Sequence, residues 1–348
     1  RYNTTVVYTN NPYSGAFRGY GNLQATFAIE SHMDKLADAI GMDPLEFRLH
    51  NAQDQGETTL QGLHLQTCGL KDCLKTAAER SDFVAKHAAN RSGQQGPIKS
   101  GVGMASLFHV GGGAKIYHTD GCGTILKVDD YAKVTVLTGA SEIGQGSETV
   151  IAMLVAEELG VPMSKVSVVN NDSEIRPWDV GVHASRTTFI AGNSAQRAAR
   201  KARQKLLDAA AAKLEIAADD LDLRDGQVVR ADTGEQLLEL GKLLRALHFR
   251  DKNEIVVTSE YYEPPSVMQD REFKGNVSPT YAFATQVAEL EVDVETGVVN
   301  VKKVTAAHDV GRVINALGIE GQVEGGVIMG VGYATREHLL VDDGYVTN

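Results

Sequence analysis

Two β-hairpins, each running through a glycine-bearing loop into a helical stretch, restrict this chain to a fold that packs helices on short sheets. The first hairpin spans Thr124–Leu137, where Ile125, Leu126, Val128, Val134, Val136 and Leu137 flank an Asp129-Asp130-Tyr131 turn. Gly144-Gln145-Gly146 follows, and Ser147–Leu159 reads as a helix. The second spans Val287–Val304, with apolar and polar residues alternating around Glu295-Thr296-Gly297. It leads through Ala306-Ala307-His308-Asp309 and Gly321-Gln322 to a Gly-rich helix over Gly318–Gly332. Alternation of period two marks strands with one buried face, and the switch to helical spacing marks the layer that covers them. The expected class is therefore α+β, with mixed sheets and packed helices.

The remaining elements fit the same plan. Leu23, Phe27, Ile29, Leu36 and Ile40 recur at helical spacing up to Gly41. Asp43-Pro44 opens a second helix, with Asp43 as N-cap and Pro44 at its first position. Residues 53–69 read as a connector, Leu70–Ala78 as a helix and Asn90–Ser100 as a loop, with β-rich sequence from Val102. Val166–Val169 reads as a short strand. Ala191–Leu214 reads as a long helix whose Arg197, Arg200, Lys201, Arg203 and Lys205 form a solvated face. Asp219–Ala231 and Gln236–Leu247 form a small hairpin-and-helix insertion, and one more strand follows the last helix.

At 348 residues the chain is long enough for about two domains. Its 34 Lys and Arg against 45 Asp and Glu give a net charge of −11, which argues against nucleic acid or an anionic membrane as partner. No apolar run approaches the ~18 residues of a membrane span. Three cysteines, Cys68, Cys73 and Cys122, are too few for a disulfide framework and fit a reducing, cytoplasmic compartment. The first residue is Arg1 and the last Asn348, with no initiator Met; a fragment of a longer protein is expected.

Four segments share a composition suited to an anionic ligand. They are Gly15–Gly21, Glu142–Thr149, His183–Thr188 and Gly321–Gly326. Each is read as following an extended stretch and preceding, or opening, a helix. There the first N–H groups have no intrahelical partner and the dipole favours negative charge. Glycines let backbone approach a ligand, and hydroxyls, amides and the guanidinium groups of Arg18 and Arg186 add donors. Ordinary glycine turns and helix caps would look the same one segment at a time; four together favour one large phosphorylated cofactor. No dinucleotide or P-loop fingerprint occurs, and Gly111-Gly112-Gly113 reads as a bulge or tight turn. Metal ligation by protein side chains is not expected: Cys68 and Cys73 are one loose pair, and His109, His118, His183 and His308 are scattered.

On the motifs SGAFRGYGNLQATFAIES (from Ser14), EIGQGSETV (from Glu142), PWDVGVHASRTTFIAGN (from Pro177), YAFATQVAELEVDVETG (from Tyr281) and AHDVGRVINALGIEGQVEGG (from Ala307), the sequence resembles the molybdenum-binding large subunit of the xanthine dehydrogenase/aldehyde oxidase family. Its flavour is that of the 4-hydroxybenzoyl-CoA reductase α-subunit branch. The resemblance implies molybdopterin-binding domains of the xanthine dehydrogenase type. A first domain would end at residue 56, a connector would span 57–80, and a second, incomplete domain would span 81–348. It implies molybdenum held by the pterin dithiolene and no protein metal ligand. Arg18 then stands near the molybdenum, and Tyr20, Met104 and Ala105 line the substrate. Gly144, Gln145, Gly146, Ser147, Ala184, Ser185, Thr187 and Gln322 bind the cofactor, in its cytosine dinucleotide form.

It further implies oxidation or reduction of an aromatic or heterocyclic substrate, an acyl-CoA ester of an aromatic acid among them. [2Fe–2S] clusters and FAD would sit on partner subunits or domains, and the complex would be able to dimerise. The family's catalytic glutamate motif, G-x-G-E-P, and its upstream Gly-rich loop are absent from these 348 residues. The general base is thus expected outside the chain, which alone would be inactive. Two other readings stay open: a non-catalytic docking module, and a simple phosphate- or nucleotide-binding protein.

Overall fold

The computed structural model describes residues 5–13, 15–113, 115, 118–251 and 255–348; Ser14, the first residue of one quoted motif, lies outside them. Two cores organise the described residues. The larger one is built on a four-stranded sheet of order β4-β3-β2-β8, from β2 (Cys122–Val128), β3 (Val134–Thr138), β4 (Val166–Val169) and β8 (Val256–Tyr262). The β2–β3 hairpin pairs Thr124 with Thr138 through Val128 with Val134, the register the Asp129-Asp130-Tyr131 turn implied. Helices α5 (Ser147–Leu159) and α6 (Thr187–Leu214) pack on this sheet.

The packing of α6 follows from its small residues. Ala191, Ala195, Ala198, Ala199, Ala202, Leu206 and Ala210 fall at helical spacing and are fully buried, so this stripe brings the α6 backbone close to the sheet. A second sheet of β5 (Leu221–Arg224), β6 (Gln227–Arg230) and β7 (Gln236–Glu239), with α7 (Leu240–Ala246), closes the far end of the same core.

The smaller core lies on the antiparallel sheet β1-β9-β10, from β1 (Ile98–Val110), β9 (Tyr281–Asp293) and β10 (Val299–Asp309). Tyr281, Phe283, Thr285 and Val287 alternate inward along β9. Against them pack Leu70, Cys73, Leu74, Ala77 and Ala78 of α3 (Leu70–Ser81) and Phe83 of α4 (Phe83–Asn90). Within the expected connector, Leu65 is fully buried in this core, and α3 is one of its walls.

Preceding these, α1 (Asn22–Ile40) and α2 (Pro44–Asn51) are joined as expected by Gly41 and the Asp43 cap, whose Oδ1 accepts from the N–H of Leu45 at 2.8 Å. The last elements are α8 (Ala316–Thr335) and the short hairpin β11 (Val341–Asp342) and β12 (Tyr345–Val346).

Three details differ from the sequence expectation. The loop after α4 ends at residue 97, because Ile98 to Ser100 already pair with Asp293 to Glu291. Helix α6 begins at Thr187, four residues earlier than its apolar periodicity indicated, while its basic residues line the expected solvated face, where Arg200 meets Glu158, Arg203 meets Asp222 at 2.5 Å and Arg197 lies over the Tyr262 ring. Gly321–Gly326 lies inside α8, more than a turn past its first residue, so its amides belong to the helix ladder and are not donors at a helix start.

Candidate functional site

The loops before α1, α5 and α6 and the middle of α8 are linked by direct contacts. Arg18 donates from Nη2 to Gln322 of α8, to Oε1 at 3.0 Å and to the backbone carbonyl at 3.3 Å. Phe17 packs tilted against Tyr333 of the same helix, ring centroids 5.2 Å apart, and Gln24 donates to the Tyr333 hydroxyl at 2.8 Å. Tyr20, exposed and at φ 52°, presents its ring edge-on to His183, 6.5 Å between centroids. Arg176 donates to the Gly139 carbonyl and to Ser141 Oγ at 3.4 Å, which fastens the loop before α5 to the one before α6. Arg18, Tyr20, Gln322 and the residues around Ala184 therefore share one neighbourhood.

The two helix N-termini in that neighbourhood differ. At α5 the carboxylate of Glu142 takes the position an anion would occupy. Its Oε1 accepts from Gly144 N–H at 2.8 Å and Gly146 N–H at 2.9 Å, and its Oε2 accepts from Ser147 Oγ at 3.1 Å and Glu148 N–H at 3.2 Å. Partial burial pushes its pKa up, but the amides of Gly146, Glu148 and Gly144 and the Ser147 hydroxyl together outweigh this and hold it below the usual value. Gln145 is folded onto its own loop, donating to Ser141 O at 3.0 Å and Ser147 Oγ at 3.1 Å and accepting from Ile143 N–H at 2.7 Å. The Gly144 and Gly146 amides, the Gln145 side-chain amide and the Ser147 hydroxyl, all in the expected cofactor loop, are thus engaged internally.

At α6 the start of the helix is open. Its N-cap, Arg186, makes no side-chain cap. Ala184 and Ser185 stand side by side in the left-handed region, φ 47° and 52°. Among the described residues no acceptor meets either N–H. The first intrahelical bond runs from Ile190 N–H to Arg186 O, which leaves Thr187, Thr188 and Phe189 with unpaired amides. Left-handed Ser185 followed by right-handed Arg186 at a bare helix start gives the alternation of hand that forms a nest of N–H groups suited to a multi-oxygen anion.

Arg186, grouped in the sequence with the ligand donors, points inward. It is 1% exposed. Nη1 reaches both Asp179 oxygens at 2.8 Å and Gly181 O at 2.9 Å. Nη2 reaches the carbonyls of Asp120 and Gly121 at 2.9 Å, and Nε lies 2.9 Å from Asp120 Oδ1. Sequence reading missed Asp120 and Asp179; the signal for a buried ion group was an Arg set among residues as small as Ala184 and Ser185. Beside it, Cys122 is fully buried, and burial with the nearby Asp179 charge pushes its thiol up to about 12. The Gly111–Gly113 triplet serves the same cluster. Gly112 sits at φ +79°, its N–H bonds to Ala184 O at 2.9 Å, and a Cβ there would stand 2.5 Å from Arg186 Cβ.

Met104 is 4% exposed inside the smaller core, so it has a packing role, while Ala105 alternates to the other face of β1. His183 and His109 are both lowered by burial, and His109 Nδ1 lies 2.7 Å from Asn22 Nδ2. Among the described residues no cluster of His, Cys, Asp or Glu could hold a metal. A cavity of about 640 Å³ lies apart from this neighbourhood, against Thr58, Leu63 and Phe108, and none of the expected site residues lines it.

Comparison with known proteins gives the arrangement a family. Residues 76–348 match one molybdopterin cofactor-binding domain and residues 1–52 match another. The xanthine dehydrogenase molybdenum-binding subunit of Escherichia coli O157:H7 is 33% identical over 98% of this chain and 44% of its own length. The 6-hydroxypseudooxynicotine dehydrogenase complex subunit gamma of Paenarthrobacter nicotinovorans is 30% identical over 97% of this chain and 42% of its own length. Among solved structures, quinoline 2-oxidoreductase from Pseudomonas putida 86 superposes with a TM-score of 0.84 at 26% identity, over 96% of this chain and 43% of its own. The chain spans less than half the length of each of these relatives.

Proposed function

The chain belongs to the molybdopterin cofactor-binding domain family, and from that premise we propose that it forms the cofactor-holding portion of the large subunit of a molybdenum-dependent oxidoreductase. The observation that carries this reading is the unpaired donor set at the start of α6, next to Tyr20 and one contact removed from Arg18. Such a set fits a phosphate-bearing pterin. Charge-assisted bonds to an anion contribute about 1.5–3 kcal/mol each, and several converge here.

In this assignment the amides of Ala184, Ser185 and Thr187 hold a cofactor phosphate. Arg18 and Gln322, already bonded to each other, flank the group from the side of α8. Gly144, Gly146 and Ser147 join them only after Glu142 leaves their donors, and Gln145 only after its amide leaves Ser141 and Ser147, so the four form a second and dependent part of the site. A ligand long enough to touch α8 and both loops favours a dinucleotide form of the cofactor, the cytosine form being the one the family resemblance implies. When bound, the molybdenum centre supplies two-electron redox chemistry at a substrate carbon.

Tyr20, exposed and edge-on to His183, offers a face for an aromatic or heterocyclic ring. An acyl-CoA ester of an aromatic acid is the finer substrate proposal. Electrons pass between the substrate and [2Fe–2S] clusters and FAD on partner subunits or domains, in a complex able to dimerise. Glu142 is occupied as a helix cap, so the general base comes from the rest of the large subunit.

The test uses the full-length subunit assembled with its partners. Arg18→Ala combined with Gln322→Ala should lower molybdenum per subunit at least fivefold by elemental analysis. Undiminished molybdenum, or a bare nucleotide in place of the pterin, would overturn the reading.

A further inference from the structure

The ion cluster beneath the α6 loop is built as a clamp on backbone. Arg186, Asp120 and Asp179 have side chains almost wholly removed from water. Both Nη atoms of the guanidinium donate to acceptors within 2.9 Å, three of them the backbone carbonyls of Asp120, Gly121 and Gly181, while Nε makes an ion-pair contact with Asp120 Oδ1 without hydrogen-bond alignment. The carboxylates reach backbone in turn: Asp120 Oδ2 accepts from Gly113 N–H, and Asp179 Oδ1 accepts from Gly181 N–H at 2.7 Å. Three chain segments, 112–113, 120–121 and 179–181, are thereby fixed to the residue that immediately follows Ala184 and Ser185. The Gly112 N–H then holds Ala184 by its carbonyl at 2.9 Å.

Left-handed conformation is unfavourable for Ala and Ser, and two in succession persist only where the surroundings over-determine them. Here the surroundings are this clamp. We propose that Arg186 is the positioning residue of the cofactor site: without touching the ligand, it holds Ala184 and Ser185 in the conformation that leaves their N–H groups unpaired for an anion. The proposal rests on the reading of this loop as cofactor-binding. A lysine in its place would offer one nitrogen where the clamp donates from two held in a fixed plane, so charge alone does not replace it.

Arg186→Lys, Arg186→Met and the milder Asp120→Asn are made in the full-length subunit within its complex. Two quantities are measured: exchange of the bonded amides of Gly112, Gly181 and residue 186 in the cofactor-free protein, and molybdenum per subunit. Both Arg186 variants should exchange at least tenfold faster at these amides, with the β2–β3 hairpin unchanged, and should lose at least fivefold in molybdenum; Asp120→Asn should fall between them and wild type. Unchanged exchange at these amides, or lysine restoring molybdenum to the wild-type level, overturns the clamp. Faster exchange with undiminished molybdenum overturns the assignment of the loop to the cofactor, and the proposal with it. Should the Arg186 variants lose protection everywhere, Asp120→Asn decides by the same contrast.

Discussion

Glu142 turns a position that composition marks as an anion site into one that carries its own anion. Its carboxylate gathers the amides of Gly144, Gly146 and Glu148, as a bound phosphate would. Its pKa is held below the ordinary 4.5. A carboxylate lowered on folding adds stability that is fully present above the ordinary value and disappears as pH falls through the lowered one. Glu142→Gln should therefore cost on the order of 1 kcal/mol near neutrality, as the loss of a helix cap does. In urea unfolding followed across pH, the gap to wild type should be constant above about pH 6 and close on the acid side, since the ordinary carboxylate titrates near 4.3. A gap that persists unchanged to pH 3 would contradict a charged cap. The sequence marked Glu142–Thr149 as suited to an anion, but not that Glu142 itself would fill the place. It could not mark Gln145 as turned onto its own loop, because an amide at that spacing serves a ligand or its own backbone equally well.

Helices and hairpins were legible where local chemistry sets them. Asp43-Pro44 fixes the start of α2, Gly41 and Gly160 end α1 and α5 in left-handed caps, and the β9–β10 turn falls at Glu295-Thr296-Gly297. What local chemistry does not set is which element holds which. Arg48 of α2 is 3% exposed. It reaches Glu30 Oε2 at 2.7 Å, Asp34 Oδ1 at 2.8 Å and the carbonyl of Met104 at 3.2 Å, tying α1, α2 and β1 together. The sequence around it reads as an ordinary amphipathic helix. Its partners lie up to 56 residues away, beyond the reach of periodicity. Arg48→Met should destabilise by about 3 kcal/mol, because it leaves the part-buried Glu30 carboxylate unpaired. Amide exchange should locate the loss in α1 and α2, with α6 retaining its protection; uniform loss of protection would show that the ion group supports the whole fold instead of this corner.

For the whole molecule, the same limit governs α8. The stretch Ala316–Thr335 is apolar on nearly every side, a pattern that belongs to a helix enclosed by others. Yet no residue of α8 is buried among the described residues; Leu317 is 80% and Ile328 71% exposed, and Phe27 and Ile40 of α1 are exposed as well. Ordinary monomers do not present continuous apolar surface of this kind. The chain spans 44% of the length of its Escherichia coli relative. An enclosed helix and an uncovered one have the same sequence, so the pattern tells what α8 requires and not what supplies it. Kept apart from a full-length subunit, the 348-residue chain should bind an apolar dye and self-associate at micromolar concentration. Ile328→Glu should lower dye fluorescence at least twofold and shift sedimentation toward the monomer. Its folding stability should move by no more than about 0.5 kcal/mol, as befits a surface position. In the full-length subunit the same substitution should be damaging, because there it would bury an unpaired carboxylate. Equal tolerance in both settings would mean that α8 faces water throughout, and the apolar character of its sequence would need another cause.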